Sequence, residues 1–340
     1  MPPLFDPEQG VTIIPPPGAG SGWWAGAPGG YFDSASGDFY LTYRLRRPRG
    51  MAPDRGAVCN LACSSDGVHF ETIWSMEKTA LDSPSLERSA LHRGPDGAWT
   101  LYISYVDGQS SQWRTDRIFA DDPRQFDLAR RERLFIAADL GLAAVKDPVI
   151  VESGSGVRLF LSCAAARNTL ADVDHHSADA YDTDTILSHT GLATAADGLH
   201  FEWNGLVLTA PDDGGWDGYS ARIATVIPLG GLQDRRWLAL YDGAYGVQNH
   251  YDETTGAAIS ADLTSWRRLT PEAPILAAPD GRCLRYVNAV ACGSEYFVYY
   301  EYGLPDGSHE LRLNRAPQST IETFAAELER TALKVESPAA

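Results

Sequence analysis

Five times along this chain a turn is followed by a short apolar-aromatic run, and the spacing of those runs limits what the chain can fold into. The runs are Asp38-Phe39-Tyr40-Leu41-Thr42-Tyr43, Ala98-Trp99-Thr100-Leu101-Tyr102-Ile103, Val157-Arg158-Leu159-Phe160-Leu161, Arg236-Trp237-Leu238-Ala239-Leu240-Tyr241 and Glu295-Tyr296-Phe297-Val298-Tyr299-Tyr300. Between Tyr40, Leu101, Leu159, Leu238 and Phe297 the intervals are 61, 58, 79 and 59 residues. Aromatic and β-branched runs of this kind favour strands. A second apolar strand precedes each run, opening after Ala27-Pro28, Glu87-Arg88, Asp147-Pro148, Ala221-Arg222 and Arg285-Tyr286. Turns such as Gly94-Pro95-Asp96-Gly97 and Ser153-Gly154-Ser155-Gly156 join the two.

A third element recurs downstream as a polar turn ending in an aromatic. It reads Ser65-Asp66-Gly67-Val68-His69-Phe70, Ala196-Asp197-Gly198-Leu199-His200-Phe201 and Ser260-Ala261-Asp262-Leu263-Thr264-Ser265-Trp266, with a degenerate copy at Ala120-Asp121-Asp122-Pro123-Arg124-Gln125-Phe126. Several strands per repeat, returning at this period, are what radial sheets require, whereas a β-sandwich has no reason to repeat the whole unit. The sequence therefore predicts an all-β fold, a single five-bladed β-propeller with an axial pocket where the blades converge. The long third interval marks an insertion over roughly Ala166 to His189, rich in Asp172, Asp174, His175, His176, Asp179, Asp182 and Asp184. It reads as a pocket lid or a surface excursion. Residues 1–22, rich in Pro and Gly, read as an arm ahead of a propeller spanning 23–340. Thr320 to Val335 shows weak helical periodicity and could equally be the strand that closes the ring.

Composition removes several function classes. The net charge is −17 and no Lys/Arg run offsets it, so a nucleic-acid partner is not expected. No stretch approaches a membrane span. Met1-Pro2-Pro3-Leu4-Phe5-Asp6 lacks the basic-then-apolar pattern of a secretory signal, which makes a cytoplasmic location the expectation. The scattered cysteines, Cys59, Cys63, Cys163, Cys283 and Cys292, read as reduced thiols and not as a metal site. His175 and His176 are adjacent, a spacing that rarely shares one ion. GxxxxGK, HExxH and GxSxG are absent, and neither a cofactor nor a metal is expected. Oligomeric state is left open by the pattern.

In a propeller the first strand of each blade lines the axis. Its opening position reads Ala27, Glu87, Asp147, Arg222, and Arg285 or Tyr286. Carboxylates on adjacent blades facing arginines on others are costly to bury unless they pair with one another or act on a ligand.

With Val145-Lys146-Asp147-Pro148-Val149-Ile150-Val151, a strand opened by Asp-Pro, and the five repeated cores, the chain resembles the five-bladed propeller glycosidases. That group includes arabinanases, xylosidases and invertases, with mannoside phosphorylases related to it. The resemblance implies a general base Asp opening the first blade, an Asp on the third that orients the acid, and an acid Glu on the fourth. Asp147 matches the third-blade position. The first blade, Trp24-Ala25-Gly26-Ala27-Pro28, carries Ala27 in place of the Asp. The fourth, Trp216-Asp217-Gly218-Tyr219, places Asp217 near the expected Glu, with Arg222 following.

The usual set is thus not carried over, and the catalytic candidates are Glu87 and Asp147, with Asp217 and Glu301 in reserve. Three have a plainer reading: Glu87 as an ion pair with Arg88, Asp147 as a strand cap and Glu301 as a surface charge. Arg44, Arg88, Arg222 and Arg285 are candidates to clamp an anionic group. Trp23 and Trp24 suit stacking on a sugar face. Tyr219, Asp242, His250 and Tyr286 are further candidates for hydrogen bonding at the pocket. The expected activity is hydrolysis of a small or anionic saccharide, with inversion implied by the resemblance. The alternative is a non-hydrolytic propeller: a phosphorylase, a lyase or cyclase of small-molecule biosynthesis, or a saccharide-binding protein.

Overall fold

The structure, a computed structural model, describes residues 4–167, 178–231 and 235–336. It is all-β apart from short helical turns and one C-terminal helix. An arm strand, β1 (Val11–Ile14), comes first. The first four-stranded unit is β2 (Trp24–Asp33), β3 (Asp38–Arg47), β4 (Arg55–Ser64) and β5 (Glu71–Glu77). The second is β6 (Ala90–Arg93), β7 (Trp99–Val106), β8 (Trp113–Ala120) and β9 (Glu132–Ile136). The third is β10 (Ala144–Ser153), β11 (Gly156–Ala166), β12 (Ile186–Ala195) and β13 (Glu202–Leu208). The fourth is β14 (Ser220–Leu229), β15 (Arg236–Ala244), β16 (Thr254–Ser260) and β17 (Arg267–Arg268). Finally come β18 (Leu284–Cys292), β19 (Glu295–Gly303), β20 (His309–Pro317) and the helix α1 (Gln318–Glu336).

Within each unit successive strands pair antiparallel. The last unit takes its fourth strand from the arm: Val11, Thr12 and Ile14 of β1 pair with Leu313, Arg312 and Leu311 of β20. The arm therefore ties the two ends of the chain together. The stretch from Thr320 is not a closing strand, because Ile321, Phe324, Ala325 and Leu328 recur at helical spacing and bury one face of α1 with Leu229, Leu238 and Tyr296. The first strands touch in the cyclic order β2, β6, β10, β14, β18 and back to β2. One backbone contact recurs at every junction between units: Leu86 N–H to Gly56, Ala144 paired with Trp113, Ser188 N–H to Tyr219, Leu284 N–H to Glu253, and His309 N–H to Trp23.

The cores lie between neighbouring sheets. Tyr40, Leu61, Leu86, Trp99 and Leu101 fill the space between the first and second units. Phe160, Leu192, Ile223 and Tyr241 do so between the third and fourth. Each such side chain contributes roughly 1.5–3 kcal/mol by leaving water. The recurrent Asp turns explain themselves locally. Asp66, Asp197 and Asp262 each accept two backbone N–H groups of the hairpin that joins the third strand to the fourth. The sequence reading ran the insertion to His189, but Ile186 already begins β12 and His189 is buried within it. His175 and His176, with Asp172 and Asp174, lie outside the described residues. All five cysteines are free, with Cys59, Cys163 and Cys283 buried. Among the described residues no helix is long and apolar enough to cross a membrane.

Candidate active site

The site is built by irregularities at the start of the first strands. In β2, β10 and β18 the register slips between Gly26 and Gly29, Lys146 and Val149, and Arg285 and Asn288. The slip places Ala27, Asp147 and Tyr286 at φ of 54°, 57° and 53°. A residue with a Cβ in this left-handed region costs on the order of 1–3 kcal/mol unless neighbours hold it. The neighbours do. Each strained N–H donates to a side chain on the second strand of the preceding unit: Ala27 to Glu301 Oε2 (3.0 Å), Asp147 to Ser104 Oγ (3.0 Å) and Tyr286 to Asp242 Oδ1 (2.9 Å).

This register corrects the ring read from sequence, which mixed two positions. The pairings Gly26–Arg44, Lys146–Ser162, Arg222–Asp242 and Arg285–Glu301 make Gly26, Lys146, Arg222 and Arg285 one set, with Ala27, Asp147 and Tyr286 following. Ala27 and Asp147 are structural equivalents, so the first unit has no carboxylate at this position.

Around the axis the charges alternate in one buried network. Arg44 pairs with Glu87 and lies 3.7 Å from Glu301. Glu301 Oε1 takes Arg285 at 2.8 Å and His309 Nδ1 at 2.6 Å. Arg285 reaches on to Glu253 at 2.6 Å, and Glu253 also pairs with Arg222. Lys146 Nζ stands 3.5 Å from Glu87 and 3.3 Å from Asp147, above the Trp113 ring at 4.7 Å.

Burial pulls the Lys146 ammonium down to about 8. Burial alone would raise Asp147, but Lys146 and the guanidinium groups of Arg222, Arg88 and Arg44 outweigh it and hold the carboxyl below its ordinary range. Glu301 is likewise held low, by Arg285 and His309 against its burial. Asp242 goes the other way: burial pushes it up to about 6 despite Arg222 and Arg285.

A cleft of about 630 Å³, counted to its open mouth, lies over this network. Glu87, Lys146 and Arg222 reach its floor, and Arg46, Arg55, Trp113 and Tyr251 its walls. The described part of the insertion roofs it. Tyr181 stacks on Tyr219 (centroids 5.0 Å apart), donates to Glu253 Oε1 (3.3 Å) and covers the Arg222 guanidinium (5.2 Å). Asp182 accepts from the Tyr251 hydroxyl at 3.0 Å and pairs with His250 Nε2 at 3.0 Å and Arg49 at 2.7 Å.

Of the residues singled out from sequence, Glu87 and Arg222 meet at the cleft floor. Arg44, Asp147, Asp242, Arg285, Tyr286 and Glu301 lie buried in the network beneath it, Tyr219 under the roof, and His250 at the rim. Asp217 is elsewhere: it accepts from the Tyr241 hydroxyl (2.9 Å) and Arg268 (2.7 Å) within the fourth unit. Trp24 is not free to stack on a ligand, because His309 already lies parallel on it at 4.3 Å. Trp23 sits against Gly18 and Arg47, outside the cleft lining. Arg88 points away from the cleft, its Nη1 donating to Ala224 O on the far side of the network.

Sequence reasoning passed over Lys146, Glu253, His309 and Tyr181, and named Asp182 only as part of the insertion. Lys146 stood inside the quoted Asp-Pro motif. Strict alternation would have sent it away from the axis, and only the slip in β10 lets two consecutive residues face inward. Cys283, Glu301 and His309 offer one ligand-type atom each within 4.8 Å of one another. The Arg285 guanidinium shares the same Glu301 oxygen at 2.8 Å, a poor setting for a second cation.

No family model matches this chain, and no curated protein does. Solved structures do. A thermostable family-43 glycoside hydrolase superposes with a TM-score of 0.64 at 15% identity, over 90% of this chain and 92% of that one. β-1,2-Mannobiose phosphorylase from Listeria innocua gives 0.61 at 14%, over 96% and 98%. A glycoside hydrolase of the mannoside phosphorylase family, which targets β-1,2 mannosidic linkages in Candida mannan, gives 0.55 at 13%, over 92% and 96%. The chain has the propeller-type fold shared by these glycoside hydrolases and phosphorylases.

Proposed function

We propose that this chain is a five-bladed propeller enzyme acting on a saccharide or glycoside bound in the axial cleft, with Glu87, Lys146 and Asp147 as its proton-transfer groups. The observation that carries the reading is the trio itself: an ammonium lowered to about 8, at the floor of a cleft, touching two carboxylates from adjacent units. A group titrating this close to neutrality can both give and take a proton. Arg222 at the floor and Arg46 and Arg55 on the walls supply cationic groups suited to a carboxylate or other anionic substituent on the sugar. The fold shared with glycoside hydrolases and phosphorylases supports saccharide as the substrate class.

In the hydrolytic form of this reading, Glu87 acts at the leaving oxygen, and Asp147, held ionised beneath the floor, acts through Lys146 and not on the sugar directly. Because both touch Lys146 Nζ, at 3.5 and 3.3 Å, their contacting oxygens are at most about 7 Å apart. That limit meets only the lower edge of the roughly 6.5–9.5 Å of inverting enzymes and also admits the roughly 5–5.5 Å of retaining ones. Inversion is therefore not favoured by the geometry. A second reading rests on the same lysine. With an ammonium between the carboxylates and Ala27 where a base would stand, the cleft suits a non-hydrolytic reaction in which Lys146 moves the proton, phosphorolysis or elimination from a uronide among them.

The test is turnover of a panel of aryl glycosides and uronides with and without phosphate, by the parent protein and by Glu87→Gln, Asp147→Asn and Lys146→Met. Folding of each variant is checked by its melting temperature. Turnover lost in all three folded variants supports the trio, and phosphate dependence or an unsaturated product separates the second reading from hydrolysis. Full activity in Glu87→Gln and Lys146→Met would sink the assignment.

A further inference from the structure

Arg88 is used by none of this chemistry, and its surroundings are unusual for a buried cation. It leaves the second unit beside Glu87, crosses the axis, and donates from Nη1 to Ala224 O of the fourth unit at 2.9 Å. That neutral carbonyl is the guanidinium's only hydrogen-bond partner among the described residues; Nε has none, and no carboxylate lies within ion-pair distance of the side chain. The nearby carboxylates are engaged. Asp147 Oδ1 accepts the main-chain N–H of Arg88 at 3.2 Å, while its Oδ2 faces Lys146 and the Tyr286 hydroxyl. Asp242 Oδ1 takes the Tyr286 N–H. Arg88 is 2% exposed and always protonated, so its remaining donors need acceptors that the protein does not supply.

Arg88 lines a second cavity, of about 620 Å³ counted to its mouth, at the opposite end of the axis from the cleft. Its other polar groups favour an acceptor. Thr225 Oγ1 already accepts the Ala289 N–H (3.2 Å), which leaves its O–H to donate. Asn288 Oδ1 accepts the Gly30 N–H (2.7 Å), which leaves its amino group to donate. Val149 and Val226 are apolar wall. Glu152, the one carboxylate in the lining, is held at the mouth by His92 Nε2 at 2.5 Å.

We propose that this cavity is a binding site for one small monoanion, a halide or a simple carboxylate such as formate, held by the Arg88 guanidinium with Thr225 and Asn288. The site is separate from the cleft, and its existence does not depend on what the cleft does.

Bromide is the probe. Crystals soaked in sodium bromide should show an anomalous peak against the Arg88 guanidinium. In solution, sodium bromide should raise the melting temperature saturably, as a ligand of the native state does. Arg88→Gln should lose that saturable response and Arg88→Lys should keep part of it. Asn288→Asp keeps the acceptor for Gly30 but adds a repelling charge, so it should lose the response even if Arg88→Gln does not fold. Ordered water alone at Arg88 would overturn the proposal. So would a crystal peak with no response in solution, or a response that Arg88→Gln and Asn288→Asp leave intact, either of which marks an adventitious ion only.

Discussion

Glu253 offers the sharpest test of the axial network, because among the described residues it alone joins two arginines across the fourth and fifth units. Its carboxylate pairs with Arg222, takes Arg285 at 2.6 Å and accepts the Tyr181 hydroxyl at 3.3 Å, and the residue has no exposed surface. In Glu253→Leu, Arg285 keeps Glu301 but Arg222 keeps no carboxylate within ion-pair distance among the described residues. Breaking a buried pair from one side costs about 3–5 kcal/mol, since the surviving charge stays buried and uncompensated. For a chain of 340 residues the unfolding entropy is about 0.7 kcal/mol/K, so the melting temperature should fall by about 4–7 °C. Removing both charges, in Arg222→Met with Glu253→Leu, replaces the pair by apolar volume and should recover at least about 2 kcal/mol relative to the sum of the single losses. The assay is urea denaturation at pH 7 of the parent, both single variants and the double. A loss below about 1 kcal/mol in Glu253→Leu, or a double variant equal to the sum of the singles, would refute the view that these charges are mutually dependent.

Asp242 is raised to about 6 by burial, so its protonated form is favoured by folding; its contribution is fully present below about pH 4 and disappears as pH rises through 6. Asp242→Asn mimics the protonated form, and denaturation across pH 4–7 should show the parent losing stability relative to it over that window and then running parallel. Lys146 should set the alkaline limb of turnover near pH 8 if its ammonium donates a proton, and Lys146→Arg should move that limb upward; an unmoved limb excludes the role. Tyr181→Ala should open the roof over Arg222, and faster binding of a fluorescent uronide, measured by stopped flow, would show it. Deleting residues 1–14 removes β1 and bares the edge of β20, so the truncated chain should melt lower and self-associate in light scattering.

How much of this was legible follows from what each signal depends on. The five units were readable because local chemistry repeats with them: apolar second strands and an Asp that binds two N–H groups of one hairpin are properties of a few consecutive residues. Partnerships between distant segments carry no such mark. Nothing in Val11–Ile14 announces β20 as its partner, and Trp24 looks free until His309 is found lying on it. Asp217 stands near an expected motif, yet Tyr241 and Arg268, its actual partners, belong to the same unit and not to the axial cleft.

The site itself was half legible for a deeper reason. Alternation along a strand assigns each residue to one face, and the reading of Glu87, Asp147 and Arg222 as channel residues took one position, the opening one, from each first strand. The slip in β10 breaks the alternation, turning both Lys146 and Asp147 inward; the cost of Asp147 at positive φ is offset by Ser104, 43 residues earlier in the neighbouring unit and invisible beside the motif. The same slip in β2 and β18 is held by Glu301 and Asp242, which therefore serve the backbone as well as the charge network. Carboxylates that a sequence nominates for catalysis can thus be committed to holding a bulge. In the reading proposed above, Lys146 standing between Glu87 and Asp147 is the group that this slip adds to them.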